Sequence, residues 1–90
     1  MDFTPEQQAI LMDGELGQKI DNPDLETLKK YVGQPLAFAD PISGVERRGI
    51  LELNEDSGEV QFTGPNKWGG EDSTKCDHSQ IQWVVELTQK

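Results

Sequence analysis

The chain has one cysteine, one histidine and one tyrosine among 90 residues, and only eight lysines and arginines against seventeen aspartates and glutamates. A lone thiol, Cys76, excludes an intramolecular disulfide framework and fits a reducing compartment. The net charge of −9 disfavours a general nucleic-acid or anionic-membrane surface, because both depend on clustered lysine and arginine. No apolar run approaches the roughly 20 residues that span a bilayer. Met1-Asp2-Phe3-Thr4-Pro5-Glu6 has no basic segment leading into an apolar one. The expectation is a cytoplasmic protein whose charge suits a basic protein partner.

The same shortages limit chemistry. Cys76-Asp77-His78 offers a thiolate and an imidazole, but a tetrahedral structural metal site needs four ligands, and only Asp72 and Asp77 stand near enough in sequence to add to the set. In an extended chain Cys76 and His78 point to opposite faces, which argues against a nucleophile–base pair. Gly69-Gly70 lacks the strand–loop–helix setting and the Lys-Ser/Thr ending of a phosphate loop. No metal, no cofactor and no enzymatic activity are expected.

What is present is mostly fold. Apolar residues make up 33% of the chain, enough for one domain with a modest core. Thr4-Pro5-Glu6-Gln7 is a helix start: Thr4 caps, Pro5 takes the first helical position, and Gln7 completes a capping box. The helix is predicted over residues 5–13 with Ala9, Ile10, Met12 and Leu16 as its apolar side. Gly14 and Gly17 leave an irregular or loosely helical stretch to Asp21. A second helix is predicted over 23–32, capped by Asn22, started by Pro23 and stopped by Gly33. Its acids, Asp24 and Glu26, come early and Lys29 and Lys30 late, as the helix dipole favours, and Leu25, Leu28 and Val32 share a face.

From Pro35 the hydrophobic period becomes two. Leu36 and Phe38 alternate with alanines, and Asp40-Pro41-Ile42-Ser43-Gly44 makes a turn. Val45–Leu53 and Glu59–Thr63 read as a hairpin around Asn54–Gly58. If Asn54 faces Glu59, Leu53 faces Val60 and Leu51 faces Phe62. Gly49 predicts a bulge or sharp bend. Ile81, Trp83, Val85 and Leu87 mark a last strand. The expected core joins Leu36, Phe38, Leu51, Leu53, Val60, Phe62, Trp83 and Val85 to the second helix. Residues 64–80 form a long connection, shortened if a strand forms near Lys75.

Leu28-x-x-Tyr31-Val32-Gly33-Gln34-Pro35-Leu36, followed by Gly44-Val45-Glu46-Arg47-Arg48-Gly49-Ile50-Leu51, resembles the opening of Sm-like proteins over about residues 25–62. The resemblance implies an α+β fold: an N-terminal helical element (5–13 and 23–32), then a strongly bent antiparallel SH3-like barrel of four to five strands, with a glycine near the bend of its second strand. The family's RNA-binding pattern departs here. Its Asp and Asn after the second strand are replaced by Asn54-Glu55-Asp56-Ser57-Gly58, and no apolar-Arg-Gly motif precedes Ile81.

Trp68, between Lys67 and Gly69-Gly70 in a polar loop, is either a core plug or an interface anchor. Glu55 and Asp56 in the hairpin turn, with Glu71 and Asp72 beyond Trp68, suggest an acidic rim, and Arg47-Arg48 the place of a salt bridge. The functional expectation is a small interaction module that binds, and by occupying it inhibits, a basic nucleic-acid-binding protein surface, as phage-type inhibitors do. Its expected partner-binding residues are Trp68, Lys67, Glu71, Asp72, Glu55 and Asp56. The alternative is a homo-oligomeric Sm-like barrel with a small molecule or RNA at subunit junctions.

Overall fold

In the computed structural model, which describes residues 3–65, 68 and 70–89, Thr4 caps helix α1 (Pro5–Asp13) through the expected reciprocal box. Thr4 Oγ1 accepts from the Gln7 N–H and Gln7 Oε1 from the Thr4 N–H, both at 3.1 Å. The residue α1 buries is Leu11, with Ile10 half-buried, whereas Ala9 and Met12 are exposed.

The stretch after Gly14 is a strand, β1 (Glu15–Asp21), and not the loosely helical segment expected. Two glycines make a poor helix, and the edge of the last strand supplies a ladder instead. Gly17 permits the approach, since a Cβ there would lie 2.9 Å from the Glu86 carbonyl oxygen. The second helix is shorter than expected: α2 is Leu25–Lys29, capped by Asp24 and not Asn22. Asp24 Oδ1 accepts from the Thr27 N–H at 2.8 Å. Tight bonds from Lys30 to Thr27 and from Tyr31 to Leu28 then end it, and Gly33, at φ +83°, donates to the Leu51 carbonyl. Leu28 is buried, but Val32 stays exposed because the chain has by then turned into the sheet.

Strands β2 (Pro35–Ala39), β3 (Glu46–Asn54), β4 (Glu59–Pro65), β5 (Glu71–Asp77) and β6 (Trp83–Thr88) complete one antiparallel sheet in the order β1-β6-β2-β3-β4-β5. It has six strands, not four or five, and it is not closed. The two added strands lie where a loose helical stretch and a long connection were expected, although β5 does run through Lys75. The hairpin register is as expected, with Asn54 opposite Glu59, Leu53 opposite Val60 and Leu51 opposite Phe62.

The sheet curls around Leu28, Leu36, Phe38, Leu51, Val60, Phe62, Ile81 and Val84. Phe38 and Phe62 stack at 3.8 Å, although β3 separates their strands, which a flat sheet with strands about 4.8 Å apart would not allow. Gly49 and Gly64 let β3 and β4 approach closely; at Gly49 a Cβ would meet the Thr63 nitrogen at 3.0 Å. The opposite face carries a second cluster, Leu11, Ala37, Ile50, Val85 and Leu87, with Trp83 beside it, covered by α1. Trp83 and Val85 were expected on the Phe38 side. The pairing of Phe38 with Val84 and of Ala37 with Val85 puts them on the other face.

Candidate functional site

At one end of the curled sheet the end of α1, the first residues of β3, the end of β4, Trp68 and the first residues of β5 line a cleft of about 650 Å³. Its floor reaches Leu11 and the edges of Phe38 and Phe62, and its walls include Met12, Pro65 and Trp68. Trp68 is 79% exposed, so it stands at the rim and does not plug the core. A second cleft of about 490 Å³ adjoins the first, sharing Arg47, Asp72 and Thr74, and continues between the β2–β3 loop and β5.

The β2–β3 loop is held by its first residue. Asp40 Oδ1 accepts from the N–H groups of Ile42 and Ser43 at 2.8 and 3.1 Å, and Oδ2 accepts from Arg47 Nε at 2.6 Å. These backbone donors, with the Arg47 guanidinium after them, hold the Asp40 carboxyl below its ordinary range. Gly44 closes the loop at φ +75°. The outcome is a pinned loop that presents Ile42 at 96% exposure beside the second cleft. Four exposed large apolar side chains, Met12, Ile42, Val45 and Trp68, belong to this end of the molecule or the loop that borders it.

Both arginines of the cleft are committed internally. Arg47 is bound to Asp40, and Arg48 Nη1 donates to the carbonyls of Gly14 and Leu11 at 3.1 and 3.4 Å, with Glu46 at 3.8 Å from its Nε. Arg48 thereby satisfies carbonyls at the C-terminal end of α1. The cleft's positive charge is spent inside the fold, while the chain as a whole carries −9.

The expected acidic rim divides into two. Trp68 and Asp72 line one cleft, and Glu71 lies opposite Pro65 in the ladder just beyond Trp68. Glu55 and Asp56 sit in the turn at the other end of β4, away from Trp68, because β4 and β5 run their full length between the two places. Glu55 there pairs with Lys29 at 3.2 Å, and that pair, with Glu26 contributing first, raises the lysine's pKa. Lys67 lies outside the described residues. Sequence reasoning missed Met12 and Ile42 as surface features; the one signal for Ile42 was an apolar residue inside a turn motif.

Cys76 and His78 do not form a unit. Cys76 leans on the inner core, where burial, then the charge of Asp77, pushes its thiol pKa up. The Nδ1 of His78 lies 3.0 Å from the Gly58 carbonyl, which also accepts the His78 backbone N–H at 2.9 Å. His78 thus ties the β3–β4 turn to the short 3-10 turn His78–Gln80. Among the described residues no group of three His, Cys, Asp or Glu side chains could hold a metal ion, and no helix is long and apolar enough to cross a membrane. Comparison of the chain with protein-family models, curated proteins and solved structures returns no match.

Proposed function

We propose that this protein is a non-enzymatic interaction module that engages a protein with a basic surface through the Trp68 cleft. The observation that carries this reading is the exposed Trp68 on a cleft whose two arginines already have internal partners, within a chain of charge −9. An aromatic anchor at a concave, partly apolar surface is the usual centre of a protein interface. The acidic field around it speeds association with a basic partner. A partner of that kind that binds nucleic acid would be inhibited by having its surface covered.

The finer fold assignment belongs to the same proposal. We infer an SH3-like arrangement for β2 to β6, supported by the helical segments before it, the curled antiparallel sheet and Gly49 in its second strand at a close approach to β4.

Affinity capture at low salt, followed by titration of the purified partner at low and high salt, tests the function. Binding should weaken steeply with salt, with Trp68→Ala and with charge reversal at Asp72. Binding indifferent to all three sinks the reading.

A further inference from the structure

The second cleft has a geometry that the Trp68 reading does not use. Five consecutive residues of β5, Asp72 to Cys76, line it. Their side chains alternate between faces: Thr74 and Cys76 stand opposite Phe62 and Val60 on the core side, while Ser73 and Lys75 stand opposite Thr63 and Gln61 on the outer side. Residues of both faces border one cleft only if the cleft runs along the lateral edge of the strand.

The backbone hydrogen bonds agree. Leu51 accepts from the Gly33 N–H at 2.8 Å and donates to the Gln34 carbonyl at 3.3 Å, so its backbone faces the β2 side. By alternation Ile50 and Glu52 face β4, and Phe62 and Val60, which neighbour their partners, face β5. Thr74 and Cys76 then bond to β4, and the N–H and C=O groups of Ser73 and Lys75 point into the cleft. The Asp77 N–H, next in that outward set, is taken by Gln80 Oε1 at 2.9 Å, which ends the open edge. The cleft is therefore a slot about 17 Å long, walled by β5 on one side and by the Asp40-pinned Ile42 loop on the other.

Charge selects the occupant. On the outer face of an added strand, lysine or arginine side chains would meet Glu71 and Asp77 at the two ends of β5, on either side of Lys75, while Asp72 adds a carboxylate on the other face. We propose that β5 receives an extended, lysine- or arginine-bearing segment of the partner protein as a seventh strand, paired to the backbone of Ser73 and Lys75. This rests on the Trp68 reading for the partner's basic character. The two clefts join at Asp72, so the added strand would start beside Trp68.

The test uses a short peptide of alternating lysine and valine, with amide hydrogen exchange read residue by residue. The expected result is salt-sensitive binding that slows exchange at Ser73 and Lys75. Methylating alternate backbone nitrogens of the peptide, or substituting Lys75→Pro, should weaken it about tenfold or more, whereas Lys75→Gln retains most of it. Lys75→Pro removes an outward donor and leaves the β4 ladder bonds in place; should it fail to fold, the methylated peptide carries the test. Absence of binding, or binding without protection at Ser73 and Lys75, overturns the proposal. So does protection that rises with protein concentration in the absence of peptide, which would identify a second copy as the occupant. Binding that depends on Trp68 but leaves Ser73 and Lys75 unprotected removes strand addition and keeps the interaction module. Protection with no dependence on Trp68 does the reverse.

Discussion

The ring of Phe62 stacks on that of Phe38 at 3.8 Å with 13° between their planes, and the two strands that carry them are not neighbours. This contact is the measure of how far the sheet has curled, and it forms the floor of the Trp68 cleft. Phe62→Ala removes a fully buried ring from it and should cost about 3–5 kcal/mol, a large part of the stability of a small domain. Phe62→Leu should cost clearly less. Urea unfolding gives both values, and equal costs for the two would contradict the stacking argument.

Arg48 joins α1 to the sheet through the carbonyls of Leu11 and Gly14. Arg48→Ala should lower stability by about 1–2 kcal/mol, since it leaves partly buried carbonyls without their charged donor. Amide exchange in α1 should accelerate more than in the β3–β4 hairpin. A uniform acceleration would mean that Arg48 supports the whole fold and not the helix end.

Asp40 has a lowered pKa in the folded chain, from the Ile42 and Ser43 N–H groups first and Arg47 after them. A depressed carboxylate contributes stability that is present above its unfolded pKa, near 3.8, and lost as pH falls through the folded value. The stability difference between wild type and Asp40→Asn should therefore be full at neutral pH and shrink in the acid range below the unfolded value. Using the difference removes the general relief of self-repulsion that acid brings to a chain of −9. Paired unfolding curves down the acid limb check it; a constant difference would contradict it.

Gly58 and Gly33 both sit at positive φ, +75° and +83°. At Gly33 a Cβ meets nothing within 4 Å, so Gly33→Ala should cost about 1 kcal/mol of conformational strain. At Gly58 the Cβ would lie 2.8 Å from His78 Nδ1, displacing the ring from the turn it fastens. Gly58→Ala should cost measurably more, about 2 kcal/mol, by thermal or urea unfolding. Equal costs would show that His78 yields freely.

Trp68 and Trp83 separate surface from core. Trp68→Ala should change stability by no more than about 0.5 kcal/mol while weakening partner binding, because the side chain is largely exposed. Trp83→Ala should destabilise by more, since Trp83 packs against the cluster beneath α1. The emission of the remaining tryptophan in each variant reports the unfolding.

Local chemistry was sufficient for the elements whose signals are local. The Thr4 box, the turn at Asp40, the register of Leu51 against Phe62 and the turn glycine Gly58 follow from spacing and residue type, because each is settled within a few residues. The last strand was legible as a strand, but its facing was not. Trp83-Val84-Val85 is apolar on both sides, and only the ladder with β2 assigns Val84 to the Phe38 face and Val85 to α1.

β1 and β5 were harder for the same reason. Glu15–Asp21 and Glu71–Asp77 are polar edge strands that bury little, so no alternation marks them, and each exists because a neighbour supplies a ladder. Of the candidate site, the sequence singled out Trp68, Glu71, Asp72 and the Arg47-Arg48 pair. Tertiary structure alone brought Met12 and Ile42 to that end, sent Glu55 and Asp56 to the opposite one, and set β5 along a cleft beside a pinned loop. Which end of a strand faces which loop depends on pairing between segments far apart in the chain, and composition carries no record of it.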